Sequence, residues 1–248
     1  MLESVELERY ARHILLKEIG GSGQIKISNT KITMIGAGGL GSVALYYLVA
    51  SGVGKIKIVD EDVVSLSNLQ RQILFKNSDL GEKKVLAARK NLLELNPNVE
   101  ICVVDESFSM KNSSKIIAGS DLILDGTDNF DTKALICREA YRNGIPSVYG
   151  GLSQWEGQVC IFDPNLPSVC FDCIYPNKPN QDVDENCADL GIIGPTVGVI
   201  GSLMAGETIK WITSSGEPLV DQILTYDCLQ GDFQKFQVEK RKDCPVCA

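Results

Sequence analysis

The sequence predicts an α/β fold: a doubly wound, mostly parallel sheet that is extended by antiparallel strands. Three observations point to it. From Lys31 onward, short apolar runs alternate with longer segments of helical periodicity. A glycine-rich turn joins the first run to the first helix, and after Gly150 the helical spacing gives way to short strands bounded by turn residues. Lys31–Ile35 is the first strand and Leu40–Ala50 the helix behind the glycine turn. Lys55–Val59 is the second strand, with Asp60, Glu61 and Asp62 at its carboxyl end. A helix over Glu82–Leu95 is stopped by Asn96 and Pro97, and Val99–Val104 is the third strand. Asp121–Asp125 is the fourth strand, Asp131–Arg142 a helix ending near Gly144, and Ser147–Tyr149 the fifth strand. Gln158–Phe162, Ile223–Tyr226 and Phe233–Val238 read as antiparallel strands. The loop Asp163–Asp189, rich in Pro, Asn and Asp, is too long for a plain connection and is predicted to be functional or mobile. A helix of small residues, Thr196–Ile212, follows it. One domain is expected over residues 1–248: an N-terminal helical arm (1–30) and two halves (31–150 and 151–248) sharing one sheet.

Composition removes several classes of function. With 24 basic and 32 acidic residues the net charge is −8, so no basic field is present to hold nucleic acid or anionic lipid. The uncharged stretch Thr33–Gly54 is 22 residues long but carries six glycines, which suits strand, turn and helix better than a membrane span. The opening residues MLESVELERYARH mix charges of both signs without an apolar core, so a reducing cytoplasm is expected rather than export. Nine cysteines stand beside a single histidine, His13, which excludes any mechanism needing two histidines.

The turn Gly36-Ala37-Gly38-Gly39-Leu40-Gly41 has the Gly-x-Gly-x-x-Gly pattern between a strand and a helix. Such a turn lets backbone approach a phosphate at the positive end of the helix, as in Rossmann-like folds. Asp60, 19 residues beyond Gly41, stands where a carboxylate bonds ribose hydroxyls. The plainer reading is that these glycines only permit tight strand–helix packing. Hydride transfer is disfavoured, because no tyrosine has a lysine four residues on and His13 precedes the nucleotide fold. A triphosphate fits better. Arg71, within Ser67-Asn68-Leu69-Gln70-Arg71-Gln72, and Lys84 can neutralise phosphate oxygens, and Asp128, within Asp125-Gly126-Thr127-Asp128-Asn129, can hold Mg²⁺. Each has a plainer alternative: Lys83 and Lys84 as a solvated helix face, Arg71 as a surface ion pair, Asp128 as a helix N-cap.

Cys170-Phe171-Asp172-Cys173 and Cys244-Pro245-Val246-Cys247 form two Cys-x-x-Cys knuckles with 70 residues between them. Four thiolates in tetrahedral array suit structural Zn²⁺, which would clip the C-terminal segment onto the long loop. Cys102, Cys137 and Cys160 fall in apolar periodic segments and read as core residues, while Cys228 is undecided. Cys187 lies in the polar loop, exposed, with no histidine nearby to activate it.

Taken together, these residues resemble the ThiF/MoeB family, the bacterial relatives of ubiquitin-activating enzymes. The likeness rests on Arg9-Tyr10-Ala11-Arg12, Gly36–Gly41, Asp60, Ser65–Arg71, Lys84, Asp125–Asn129, both cysteine pairs and Gly194-Pro195-Thr196-Val197-Gly198. The resemblance implies ATP-dependent adenylation of the C-terminal glycine carboxylate of a small ubiquitin-like sulfur carrier, of thiamine or molybdopterin type, with release of pyrophosphate. It implies that Asp60 holds the ribose, that Asn68, Arg71 and Lys84 meet the phosphates, and that Asp128 holds Mg²⁺. Gly36, Gly38, Gly39, Gly41, Gln72 and Asn129 count with them as nucleotide-binding candidates. It further implies a homodimer in which Arg12 reaches the partner's site, zinc on Cys170, Cys173, Cys244 and Cys247, and a covalent link between Cys187 and the carrier in some branches. The chain ends at Ala248, just past the last cysteine pair, so a separate sulfur donor is expected. Competing functions are adenylation of a small-molecule carboxylate and a non-catalytic scaffold.

Overall fold

The computed structural model describes residues 2–176 and 191–248. One mixed sheet of eight strands runs in the order β3-β2-β1-β4-β5-β6-β7-β8. The strands are β1 (Lys31–Ile35), β2 (Lys55–Val59), β3 (Glu100–Val104), β4 (Leu122–Asp125), β5 (Ser147–Ser153), β6 (Glu156–Phe162), β7 (Gln222–Asp227) and β8 (Asp232–Gln237). The first five are parallel, with Met34 of β1 level with Ile58 of β2 and Leu124 of β4, and β5 to β8 are antiparallel. The expected fold class is the observed one, in a single continuous sheet.

The helices are α1 (Ser4–Arg9), α2 (Ala11–Ile14), α3 (Gly20–Asn29), α4 (Gly39–Ala50), α5 (Lys84–Leu95), α6 (Ser113–Ile117), α7 (Phe130–Arg142), α8 (Phe171–Ile174) and α9 (Gly194–Thr213). Central strands are covered on both faces and therefore read as nearly unbroken apolar runs. Ile32, Met34, Ile56, Ile58, Leu122 and Leu124 pack with α4, α5 and α9 in the larger core. The alternate residues Ile35, Val59 and Ile123 face Ile116 and Ile117 of α6 and Ile136 and Ala140 of α7. Among the described residues, no helix is long and apolar enough to cross a membrane.

The arm is pinned by Tyr10, which is buried and whose hydroxyl accepts a hydrogen bond from Asn96 Nδ2 at 2.9 Å. His13 is half-buried and meets Gln24 Oε1 through Nδ1 at 3.2 Å, a structural post for the only histidine.

Several boundaries differ from the expected ones. β5 continues past Tyr149, where its ladder with β4 ends at Asp125, and pairs on to Ser153 with β6. Gly150 and Gly151 hide that continuation from any pattern of side chains. Cys137 and Cys160 are core residues as expected, but Cys102 is not: it is half-buried, because β3 is an edge strand with one flank open. Its thiol lies 3.6 Å from Glu100 Oε1.

Candidate active site

Strand order reverses between β1 and β4, and connections leaving the two strands on opposite faces open a crevice at their carboxyl ends. A cleft of about 660 Å³ occupies this position. It is lined by the glycine turn, the end of β2, the Gln70–Gln72 segment, Lys84 and the turn after β4.

The glycine turn meets both demands placed on it. A Cβ at Gly41 would overlap the carbonyl of Gly36, and one at Gly36, whose φ is +89°, would lie 2.8 Å from the carbonyl oxygen of Gly126. Those two glycines are required by packing, and Gly39 likewise abuts Val197. Gly38 differs: a Cβ there would meet only Gln72 Nε2, at 3.8 Å, so the N-cap of α4 presents open backbone to the cleft. This is the shape that a phosphate requires at a helix N-terminus.

Asp60 braces the turn, its Oδ2 accepting from the Ala37 amide at 2.7 Å and its Oδ1 from the Asp62 amide at 2.9 Å. Burial holds its carboxyl above the usual value of 3.8, against the pull of Lys84. Lys84 is no solvated helix residue: its side chain is only 5% exposed, and it pairs with the exposed Asp62 at 2.8 Å. The solvated role falls to Lys83, which pairs with Asp105 at 3.1 Å. Arg71 donates to the Ser67 carbonyl at 3.2 Å and has no ion pair among the described residues. Gln72 is buried against the turn with its Oε1 unpartnered. A cationic corner, a buried acceptor and an open helix end thus share one cleft.

Asp128 lines the cleft and is exposed. It is not the N-cap of α7: Asn129 is, through a bond from the Thr132 amide to its Oδ1 at 2.9 Å. Asp128 has no hydrogen bond or ion pair among the described residues, which leaves its carboxylate available to a cation carried by phosphates. Asn68 is placed elsewhere: it is not among the lining residues, and its Oδ1 accepts from the Ser65 amide at 3.2 Å to close a helical turn. Arg12 is exposed on α2 and outside this cleft, and Cys187 lies outside the described residues.

The lining also includes residues that the sequence does not mark as candidates, among them Lys133 and Gln154. Lys133 is buried, with Nζ 3.3 Å from Asp125 Oδ1 and 2.6 Å from the Gly150 carbonyl oxygen. Its signal is a cation one helical turn after Asn129, on a face shared with buried Cys137 and Ala140. Gln154 turns β5 into β6 with φ +50°, a conformation usually given to Gly or Asn, so nothing in its residue type betrays it.

Away from the cleft, Cys170, Cys173, Cys244 and Cys247 converge with all four sulfurs within 4.8 Å of one another, and all four residues are buried. Cys170 and Cys244 are 3.4 Å apart, Cys173 and Cys247 3.3 Å. A tetrahedron of Zn–S bonds near 2.3 Å has sulfurs about 3.8 Å apart, so the cluster fits zinc. Burial pushes the Cys247 thiol up to about 12. At Cys244 burial is outweighed by N–H bonds from Val246 and Cys247, and the thiol falls to about 7. A dication is the natural compensation for thiolates so enclosed.

A mostly parallel sheet whose glycine turn opens onto a cleft beside cationic side chains, with four cysteines clustered away from it, is the arrangement of Rossmann-like nucleotide-binding folds. The chain belongs to the ThiF family, whose profile matches residues 10–246. It is 39% identical to the sulfur carrier protein adenylyltransferase of Thermus thermophilus, covering 98% of this chain and 91% of that protein. It is 37% identical to the SAMP-activating enzyme E1 of Haloferax volcanii, covering 99% and 90%. Among solved structures, the ATP complex of E. coli MccB superposes with a TM-score of 0.84 at 22% identity, over 96% of this chain and 74% of that one, a likeness of fold.

Proposed function

We propose that this protein is an ATP-dependent adenylyltransferase acting on the C-terminal glycine carboxylate of a small ubiquitin-like sulfur carrier. The observation that carries the reading is the convergence of Gly38, Asp60, Arg71, Lys84 and Asp128 on one cleft. The names of the Thermus and Haloferax relatives favour a protein carrier over a small-molecule carboxylate, and the retained cations and carboxylate disfavour a non-catalytic scaffold.

The chemistry asks for charge control and not for a general base, since a carboxylate is already ionised at neutral pH. A carrier carboxylate oxygen attacks the α-phosphorus, an O–P bond forms, and the bond to the β-phosphate breaks to release pyrophosphate. Asp60 would accept from the ribose hydroxyls. The Gly38 backbone, Lys84 and Arg71 would bind the phosphates as charge shifts to the leaving group. Mg²⁺, held by Asp128 together with the phosphates, would supply further charge neutralisation. Residues 31–150 would bind the nucleotide, residues 151–248 the carrier and zinc, and Cys187 would be the site of any covalent carrier link. A separate sulfur donor and a reducing cytoplasm, which keeps the free thiols reduced, complete the proposal.

Carrier-dependent ATP–pyrophosphate exchange tests the reading. Exchange is expected with a thiamine-type or a molybdopterin-type carrier; exchange supported by a metabolite alone, or by no carrier of either type, would overturn it.

Arg12 is proposed to act across a homodimer. Its position, exposed and unpartnered among the described residues on an arm with exposed Leu7, Leu15 and Leu16, supports this. Mixing inactive Arg12→Ala and Asp128→Ala proteins should then restore about one quarter of wild-type exchange, because half the re-formed dimers are mixed and each has one intact site. No recovery after confirmed subunit exchange would refute the shared site.

A further inference from the structure

We propose that Lys133 is a positioning residue that sets the geometry of the cation site at Asp128. This rests on the adenylation reading for the site and extends it to a residue with no assigned role. Parallel pairing of β4 with β5 ends at Asp125 and Tyr149. Beyond that level the two strands part to make the cleft, and backbone hydrogen bonds no longer hold one to the other. Lys133 spans the gap: from α7 its ammonium donates to Asp125 Oδ1 on β4, at 3.3 Å, and to the Gly150 carbonyl on β5, at 2.6 Å. The Tyr149 ring lies 4.9 Å beneath it.

Asp125 passes this fixation on. The same Oδ1 accepts from the Thr127 amide at 3.0 Å and from its hydroxyl at 2.7 Å, which folds the turn that presents Asp128. The Gly126 amide in turn donates to Ile35 at 2.8 Å, tying the turn to the end of β1 beside the glycine loop. Asp125 and Lys133 are both more than nine-tenths buried, so each is the other's principal compensation. Without the ammonium, the Asp125 carboxylate would lack its counter-charge within the same turn as Asp128. It would turn toward a cation in the cleft, and Asp128 would lose its fixed placement, although the bonds of Lys133 itself run only to Asp125 and the Gly150 carbonyl.

The test compares Lys133→Met, Lys133→Arg and the charge-balanced Lys133→Met/Asp125→Asn. Mn²⁺ binding in the presence of a non-hydrolysable ATP analogue is followed by electron paramagnetic resonance, beside metal-free ATP binding and thermal unfolding. Lys133→Met should raise the Mn²⁺ half-saturation about tenfold or more and leave metal-free ATP affinity within about threefold of wild type, as for loss of a group that orients a metal ligand. Lys133→Arg, which keeps the charge and the reach, should recover most of that loss. If Lys133→Met fails to fold, the balanced double variant should fold and still show the metal defect. Wild-type Mn²⁺ binding in either Met variant would overturn the proposal, as would an equal loss of metal-free ATP binding, which marks a merely structural role. A wild-type protein that binds Mn²⁺–nucleotide but supports no exchange with any carrier would instead count against the adenylation reading alone.

Discussion

Asp128→Ala is expected to lower carrier-dependent ATP–pyrophosphate exchange by about 10²–10³-fold at saturating Mg²⁺, the scale for removing one preorganised electrostatic group. The folded state should hardly notice. Asp128 is exposed, caps no helix and has no partner among the described residues, so its removal belongs with surface changes of about 0.5 kcal/mol or less. Asp125, three residues earlier, makes the contrast: it is buried and accepts bonds from Thr127 and Lys133, so Asp125→Ala should destabilise the protein outright. The pair of variants separates catalysis from architecture within one turn. Unfolding midpoints and exchange rates across a Mg²⁺ titration check it, and near-normal exchange by Asp128→Ala would remove Asp128 from its role.

That contrast also shows what the sequence made legible. The order of βα units, the glycine turn and the acid after β2 follow local rules of period, turn and spacing, and they are found where those rules put them. That Asn129 and not Asp128 caps α7 is not a local property: both residue types cap well, and only the path of the chain out of β4 decides. Asn68 and Arg71 share one motif, yet Arg71 reaches the cleft while Asn68 turns back to the Ser65 amide. Lys133 was hidden for a related reason. Its partners Asp125 and Gly150 sit on neighbouring strands, so its function exists only once the sheet has formed. Cys102 reads as core because β3 is apolar, but whether a strand is central or an edge is a property of the topology.

The four cysteines give the second large effect. Cys244→Ser should abolish stoichiometric zinc and lower the unfolding temperature by about 10 °C or more. The scale follows from chain entropy: a cross-link closing a loop of this length removes about 4 kcal/mol from the unfolded state's advantage, and a domain of this size shifts about 2–4 °C per kcal/mol. The loss should spread beyond the clip. Phe171, between the first two cysteines, packs on Phe130 and Tyr149 with ring centroids 5.7 and 5.6 Å apart. Its amide donates to Cys137 Sγ on α7 at 3.3 Å, and Arg138 of the same helix pairs with Asp172. Helix α7 begins at the cleft, so a chelator strong enough to strip zinc should weaken nucleotide binding as well as stability. The pH dependence has a definite sign. The metal-free unfolded chain carries protons on thiols that the zinc-bound fold holds as thiolates, so it binds more protons, and the zinc-dependent part of stability rises with pH and is lost on acidification. Reductant distinguishes a metal clip from a disulfide clip: a zinc-held chain keeps its unfolding temperature in excess thiol and loses it to chelator. Metal analysis finding no zinc in the wild-type protein, or a Cys244→Ser variant as stable as its parent, would refute the clip.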